Sequence, residues 1–349
     1  MRSTAQGSLT VPHRREDITL PESYQNTSRG DKFLLFDSGA IPDRILIFST
    51  HKNLEFLKMS DTWLFDGTFK TARTLFDQLF IIHGLRNGAT FPLVYCLTPN
   101  RRTPTYARIL KELQTLQPGM APKMIMSDFE KASNNAFDER FPTADNKGCF
   151  FHFSQCFYRH IQQNPDILQK YSSDADFALN LWYLVALAFI APQYVVAAFE
   201  QLVEQPFYVQ NEELLLDIIQ YFEKTWLGSW SRFRTRRILP TYQIEMWNCY
   251  QSVKDGLPKT NNFCEGFHNG FATLLGATHP TIYKLIDGLK KQQTLTELDI
   301  HQFQNGAVPM SKSKYRIAAA ELKKIVEGYD SATSSNMDYL RRIAYRIRN

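Results

Sequence analysis

Two aspartates of this chain stand at the ends of strand-like segments, and one glutamate opens a helix-like segment far downstream. Asp66 follows the apolar run 63–65, Asp128 follows the segment 124–127, and Glu265 lies in the first turn of a helix predicted from residue 262. Two strand aspartates and a distant helix glutamate are an arrangement that can hold paired divalent metals. Such metals clamp the attacking and leaving oxygens of a phosphodiester. Carboxylate oxygens suit two Mg²⁺ ions, with Mn²⁺ as a substitute.

Each of these carboxylates also has a purely structural interpretation. The pair Asp66-Gly67 is typical of a turn at the end of a strand, and Asp128 suits the N-cap of the helix that follows it. Glutamates in helices are commonly solvated, although Glu265 shares a helix face with His268, three residues further on. The placement of both aspartates on strands of one predicted sheet favours the metal-binding interpretation.

Cys149 and His152 form a C-x2-H pair close to the end of a predicted strand. We expect this pair, together with His268, to support the active site structurally and not to bind the catalytic metal, since thiolate is a poor ligand for Mg²⁺. A structural zinc site would need two further ligands. Cys264 and His268, at positions i and i+4 of a helix, are the candidates for that alternative.

Basic and aromatic residues alternate in the region before Glu265. Trp226, Trp230 and Phe233 are interleaved with the basic residues there. We predict a phosphate-binding surface whose aromatic rings are available for base stacking. The alternative is a solvated helix face with aromatic residues in the core. The predicted DNA-binding residues are Arg232, Arg234, Arg236, Arg237 and Lys259.

The composition is that of a globular protein with a sizeable core. The chain has 349 residues, 44% of them hydrophobic, and a formal net charge of +5, which permits a nucleic-acid partner without requiring one. Five scattered cysteines favour a reducing compartment. The first thirty residues lack the apolar core of a signal peptide, and the apolar stretch 177–190 is too short for a membrane span. We expect neither secretion nor membrane insertion.

An α/β domain with a mixed sheet must position the carboxylates. Asn87-Gly88 between two strand-like runs predicts a hairpin with a type I′ turn, and the order of elements is three strands, helix, strand, helix, strand. The predicted strands are 62–70, 78–86, 90–97, 123–127 and 148–153, preceded by a strand or lead-in at 44–48. The predicted helices are 103–116, 130–140 and 154–163.

Helical periodicity replaces this pattern after residue 165. We expect an all-helical insertion between about 165 and 230, docked on the catalytic domain, with helices again at 262–275, 280–304, 314–329 and 337–347. The predicted domains are a polar N-terminal tail (1–32), the first part of a catalytic core (33–163), the helical insertion (164–255), the second part of the core (256–304) and C-terminal helices (305–349).

Taken together, these motifs resemble the transposase domain of Mutator-like elements, the MULE family, over about residues 40–275. Several spaced motifs in the family's order are more specific than any one of them. The matching motifs are Asp-Gly-Thr-Phe-Lys at 66–70 with Phe-Asp-Gln-Leu at 76–79, Ser-Asp-Phe-Glu at 127–130, Cys-Phe-Phe-His at 149–152, Trp-Asn at 247–248, Thr-Asn-Asn at 260–262 and Glu-Gly-Phe-His-Asn at 265–269. The family often has Trp where Phe267 stands.

The resemblance implies a ribonuclease-H-like fold and a DDE triad formed here by Asp66, Asp128 and Glu265. It also implies magnesium-dependent cleavage of transposon ends and joining of the freed 3′-hydroxyl to target DNA. The partners would be transposon-end and target DNA, bound by a homodimer or a larger oligomer, and the location would be the nucleus after import from the cytoplasm.

One feature departs from the family pattern. Full-length members usually carry a separate zinc-finger module, and its ligand spacing occurs neither upstream of Asp66 nor after Glu265. Two alternatives therefore stay open. One is a host-adopted DNA-binding or regulatory protein without catalysis, and the other is a ribonuclease-H-like nuclease that selects branched or hybrid nucleic acid.

Overall fold

A computed structural model describes residues 10–68, 75–233, 235–277, 279–307, 313–329 and 335–348. The chain divides into two compact units, residues 1–146 with 261–309 and residues 147–260 with 310–349. These are called unit 1 and unit 2. Unit 2 begins at residue 147, before the predicted start of the insertion at residue 164. The C-terminal helices, predicted as a separate region, fall in unit 2.

A seven-stranded mixed sheet is the main feature of unit 1. Its spatial order is β1-β2-β5-β4-β3-β6-β7. The strands are β1 (Leu34–Asp37), β2 (Leu46–Phe48), β3 (Thr62–Thr68), β4 (Gln78–Arg86), β5 (Ala89–Thr98), β6 (Met124–Ser127) and β7 (Asp145–Gly148). The first helices of the chain are α1 (Glu22–Gln25), α2 (His51–Lys58), α3 (Thr103–Leu116) and α4 (Lys131–Arg140).

The strands β3, β4 and β5 form the predicted antiparallel meander. The two residues between β4 and β5 are Asn87 and Gly88, whose φ angles of 47° and 78° are both positive, as a type I′ turn requires. On the other side, β3 pairs with β6 in parallel. Antiparallel strands followed by a parallel neighbour give the ribonuclease-H-like arrangement, so the structure confirms the predicted fold class.

Two later helices complete unit 1, α13 (Asn262–Leu275) and α14 (Ile282–Gln304). They cover one face of the sheet, where Phe271 and Leu285 pack with Leu79 and Ile81 of β4. The opposite face packs mainly against α3 and α4. There Phe65 of β3 stacks on Phe137 with ring centroids 4.1 Å apart.

The described part of the N-terminal segment, from residue 10, packs against this core, whereas a loose tail was predicted. Ile18 and Leu20 are buried with the residues of β1 and β4. The buried guanidinium of Arg44 donates to the backbone oxygens of Arg15 and Ile18. The predicted loose tail was wrong because a mostly polar composition does not reveal that two apolar side chains are buried and that backbone oxygens of the segment accept hydrogen bonds from the core.

Unit 2 is mainly helical. Its helices are α5 (Phe150–Gln163), α6 (Pro165–Ser173), α7 (Ala175–Ala186), α8 (Val195–Val203), α9 (Pro206–Gln210), α10 (Glu212–Phe222), α11 (Ile244–Trp247), α12 (Tyr250–Lys254), α15 (Ser313–Glu327) and α16 (Asn336–Arg348). The insertion is therefore helical, as predicted. The exception is a short hairpin formed by β8 (Ser229–Trp230) and β9 (Arg237–Ile238). The insertion was predicted to be all-helical up to about residue 230, and its last two residues instead form the first strand of this hairpin.

The predicted strand at 148–153 is wrong, because β7 ends at Gly148 and α5 begins at Phe150. Phe150, Phe153 and Phe157 are buried on one side of α5, with a spacing typical of a helix. A short aromatic run does not distinguish a buried strand from a buried helix.

The apolar stretch 177–190 is buried within unit 2. Leu181 and Leu184 of α7 are fully buried, and α16 packs against α7. In the described part of the chain, no helix has the length and apolar character needed to cross a bilayer.

Candidate active site

Asp66 lies near the carboxyl end of β3, with its side chain 12% exposed. One carboxylate oxygen, Oδ1, accepts a hydrogen bond from the backbone N–H of Gly67 at 2.8 Å. The other, Oδ2, lies 3.2 Å from Nε2 of His268, which donates to it. A half-buried carboxylate within a strand is costly unless it is hydrogen-bonded, and both oxygens of Asp66 are.

Asp128 directly follows β6, and it does not have the capping role considered for it. The N-cap of α4 is Glu130. Its backbone N–H donates to Oδ1 of Asp128 at 3.1 Å, which forms a tight turn between the strand and the helix. Buried Ser127 and Asn134 hold the backbone of this turn, since each donates from its side chain to the carbonyl oxygen of Asp128.

The parallel pairing of β3 and β6 puts the two aspartates in equivalent positions. The paired residues are Thr62 with Met124, Trp63 with Ile125 and Leu64 with Met126. The same offset, continued for two residues, pairs Asp66 with Asp128. Both carboxylates therefore stand at the carboxyl end of the sheet on neighbouring strands.

The alternation of side chains places Asp66 on the face of the sheet that α13 covers. Successive residues of a strand point to opposite faces, so Asp66 shares a face with Leu64. Leu64 packs together with Met126 of β6 and Cys264 of α13, and His268 of α13 contacts the Asp66 carboxylate. Asp128 lies in the turn just beyond β6, beside this end of β3.

Glu265 lies in the first turn of α13, whose observed bounds are those predicted. The preceding residue, Cys264, packs on β3 and β6, and His268, one turn further, binds Asp66. Glu265 and His268 are three residues apart and share a helix face. The helix turn that carries Glu265 is thus held at the end of the sheet where the two aspartates stand.

A buried histidine adjoins this group and was missed by the sequence analysis. His83 of β4 lies opposite Leu64 in the sheet, with Nδ1 3.5 Å from Sγ of Cys264. The pKa of His83 is lowered to about 3, mainly by burial and also by the charge of neighbouring His268, against a smaller raising effect of Asp66. A neutral imidazole therefore packs beneath α13. A histidine inside an apolar strand was the sequence signal.

The donor chemistry fits a hard divalent cation. Asp66, Asp128 and Glu265 offer carboxylate oxygens, the ligands that Mg²⁺ prefers. Over the described ranges, no three His, Cys, Asp or Glu side chains are gathered closely enough to form a metal-binding group. The backbone thus brings the carboxylates to one edge of the sheet, and their side chains do not form a closed ligand shell.

Three further polar residues adjoin the aspartates and were not assigned a role from the sequence. Gln78 of β4 donates to the hydroxyl of Tyr106 at 2.5 Å, and that hydroxyl donates to Oε2 of Glu130 at 3.0 Å. Burial raises the pKa of Glu130, and the charge of Asp128 raises it further. Burial, followed by the nearby charge of Glu130, also raises the pKa of Tyr106, so the phenol stays a proton donor.

Cys149 and His152 lie in unit 2, at the start of α5. Cys149 is the N-cap residue of this helix and is fully buried. The backbone N–H of the next residue, Phe150, donates to the carbonyl oxygen of Lys259 at 2.8 Å. The five cysteines of the chain are free thiols. These contacts suit a structural role for the pair, which remains a prediction.

The predicted DNA-binding residues differ in exposure. Arg232 and Arg236 are exposed in the segment that joins β8 to β9, and Arg234 lies outside the described residues. Arg237 of β9 lies 5.4 Å from the ring centroid of Trp230 and donates to the carbonyl oxygen of Gly228. Arg237 is therefore engaged within the hairpin.

Lys259 and the interleaved aromatic residues also divide between surface and core. The Lys259 ammonium lies 5.0 Å from the ring centroid of Phe150, and burial lowers its pKa. Trp226 is buried, whereas Trp230 is 48% and Phe233 is 84% exposed. Trp226 thus belongs to the core, and base stacking by the exposed rings of Trp230 and Phe233 stays a prediction.

Comparison with known proteins finds a family match over part of unit 1 and the start of unit 2. Residues 62–156 match the family model of the MULE transposase domain, a segment that contains Asp66 and Asp128. No curated protein matches the chain. Among solved structures, a chain of the Drosophila P element transposase strand transfer complex is similar over 86% of this chain and 81% of its own length, at 11% identity and a TM-score of 0.25. No conclusion about function rests on a TM-score of this size.

Proposed function

We propose that this chain is a MULE-type DDE transposase domain that cleaves DNA strands and transfers the freed 3′-hydroxyl to a target strand. The observation that carries the proposal is the shared position of Asp66 and Asp128 at the carboxyl ends of adjacent parallel strands. The turn of α13 that bears Glu265 is held at the same end by His268. The family match over residues 62–156 supports the assignment of the aspartates.

Asp66, Asp128 and Glu265 are the residues that would hold two Mg²⁺ ions. When bound, such ions lower the pKa of an attacking water and stabilise the leaving oxygen. The protein's own contribution is positional. The β3–β6 ladder fixes the spacing of the aspartates, the Gly67 N–H and His268 orient the carboxylate of Asp66, and the turn before α4 orients that of Asp128.

DNA is the proposed partner, and the exposed hairpin of unit 2 supports this. Arg232 and Arg236 are exposed cations on either side of Phe233, whose ring is 84% exposed. Exposed arginines bind phosphates, and an exposed aromatic ring offers a stacking surface. We propose a homodimer or larger oligomer on DNA and a nuclear location, as for the family that the motifs resemble.

The test measures nicking of supercoiled plasmid, and joining of a labelled 3′-hydroxyl duplex to that plasmid, in Mg²⁺ or Mn²⁺. We expect Asp66→Asn, Asp128→Asn and Glu265→Gln each to reduce both reactions by about 10³-fold or more, since a lost metal ligand removes several kcal/mol of transition-state stabilisation. Folding, followed by circular dichroism, and plasmid binding should be retained.

Asp61→Asn is the matched control. Asp61 lies just before β3, at the opposite end from Asp66, and forms an exposed ion pair with Lys123, so this variant should keep wild-type activity. Plasmid binding without nicking by the wild-type chain would replace the proposal with a non-catalytic DNA-binding protein. Nicking of branched or hybrid substrates without joining would replace it with a structure-selective nuclease.

A further inference from the structure

Three side chains of unit 1 form a hydrogen-bonded network next to the proposed metal site. Its members are Gln78 of β4, Tyr106 of α3 and Glu130 before α4. Gln78 and Tyr106 are each 1% exposed. The amide of Gln78 donates to the phenol, and the phenol donates to the carboxylate, so both bonds run in one direction. Buried polar groups are stable only when they are paired in this way.

Gln78 and Tyr106 lie on the face of the sheet opposite Asp66. Gln78 points to the same face of β4 as Phe80 and Ile82, which pack against α3 and α4. The Tyr106 ring packs on Phe80 with centroids 5.0 Å apart. Gln78 and Tyr106 therefore take no place on the face of Asp66 and contact the site through the backbone and the strand ends, whereas Glu130 also interacts with Asp128 through its charge.

Gln78, at one end of this network, contacts the backbone beside Asp66. A Cβ atom added at Gly67 would lie 2.2 Å from Oε1 of Gln78, so the amide group lies directly against the glycine. A side chain at this position would displace the Gln78 amide from this contact. Gly67 is also the residue whose N–H orients Asp66.

The other end contacts the backbone that holds Asp128. Tyr106 holds the side chain of Glu130, and the N–H of Glu130 donates to Oδ1 of Asp128. The three side chains thus connect the strand end that carries the first aspartate with the turn that carries the second. The pairing of β3 with β6 fixes the spacing of the aspartates. The three side chains fix the backbone next to each aspartate, whose N–H groups orient the carboxylates.

We infer that Gln78, Tyr106 and Glu130 are positioning residues that hold the two aspartates in the geometry required for divalent metal binding. The inference rests on the proposed function. Residues that orient metal ligands from behind typically change metal affinity by about 10- to 100-fold when they are removed. The effect is large because ligands must be held within about 0.5 Å of the binding geometry.

The experiment titrates the full chain with Mn²⁺ and follows binding by electron paramagnetic resonance, without DNA. Tyr106→Phe removes one hydroxyl and keeps the ring against Phe80, and Gln78→Met removes the amide at similar size. We expect each variant to bind Mn²⁺ about 10-fold more weakly. The Mg²⁺ concentration for half-maximal plasmid nicking should rise by a similar factor, with the rate at saturating Mg²⁺ within about 3-fold of wild type.

Tyr95→Phe is the matched control. Tyr95 is fully buried in the same sheet, and its hydroxyl donates to the Pro92 carbonyl oxygen and not to Gln78, Tyr106 or Glu130. It should leave Mn²⁺ affinity unchanged whatever it does to stability. The double variant Tyr106→Phe/Gln78→Met should bind Mn²⁺ no more weakly than either single variant, because both substitutions break one connection.

The outcomes separate this inference from the proposed function. If wild type does not bind Mn²⁺, or if Asp66→Asn binds it as wild type does, the metal site itself is refuted. If Asp66→Asn loses binding while Tyr106→Phe and Gln78→Met retain wild-type affinity, the proposed function stands and the positioning role is overturned. Should Tyr106→Phe fail to fold, Gln78→Met decides the point alone.

Discussion

At the scale of single residues, His83 shows how burial beside the site links folding to pH. Its imidazole is 1% exposed, and burial lowers its pKa to about 3 from an ordinary value of 6.5. Between these two values the unfolded chain binds a proton that the folded chain does not. The free energy of unfolding therefore rises with pH through this window, and the contribution of His83 is lost as the pH falls below about 6.5.

We predict that this single histidine lowers the free energy of unfolding by about 2 kcal/mol between pH 7.5 and pH 5. Urea unfolding of wild type and His83→Leu at both pH values measures it, because the leucine variant should lose that part of the pH dependence. His13→Leu removes an exposed histidine and should keep the wild-type pH dependence. Equal pH dependence of wild type and His83→Leu would contradict the prediction.

Residue types and their order were sufficient to select Asp66, Asp128 and Glu265 as candidates, but not to find the residues behind them. Gln78 lies inside one of the motifs that resemble the MULE family, yet its role depends on Tyr106, which lies 28 positions further along the chain. A contact of this kind follows from the packing of α3 on the sheet. No local pattern encodes it.

At the scale of elements, local signals located the pieces that carry the site. The Asn87-Gly88 turn and helix α13 were placed correctly, since turn chemistry and helical periodicity are local. Helix α2 and the packed segment around Ile18 were missed, because short elements are stabilised by tertiary contacts. The register of β3 on β6, which aligns the aspartates, arises only when two distant segments pair.

The attachment of α14 to α2 illustrates such a tertiary contact. Asn53 of α2 and Gln293 of α14 are almost fully buried, and their amides bond reciprocally at 2.8 and 3.2 Å. Asn53 also donates to the carbonyl oxygen of Leu93 in β5. The pair fixes the helix that follows α13 to the body of unit 1.

We predict that Gln293→Met lowers the free energy of unfolding by about 1–3 kcal/mol, because it leaves the buried amide of Asn53 without this partner. A double-mutant cycle with Asn53→Leu should give a coupling energy of at least about 0.5 kcal/mol. Urea unfolding measures both quantities. Gln302→Met, on an exposed position of α14, should change stability by less than about 0.5 kcal/mol, and additive effects at positions 53 and 293 would show that the two amides act independently.

At the scale of the whole molecule, a net charge of +5 does not identify a nucleic-acid partner, and the placement of individual charges matters more. Arg232 and Arg236 are exposed, whereas Arg237 is held by its own hairpin and by Glu200, 3.5 Å away. Among the described arginines of the hairpin, Arg232 and Arg236 are therefore more accessible to phosphate than Arg237.

We predict that the double variant Arg232→Ala/Arg236→Ala weakens binding of the full chain to duplex DNA without changing sequence preference. Each phosphate contact releases counterions from the DNA when the protein binds, and the variant loses two such contacts. The slope of log affinity against log salt should therefore fall in magnitude by about 2. Fluorescence anisotropy with a labelled random-sequence duplex at several salt concentrations measures the slope. Lys52→Ala/Lys111→Ala removes two exposed charges of unit 1 and is the matched control. If both double variants change the slope equally, the hairpin is no more than a solvated surface, and DNA is held by the overall charge of the protein.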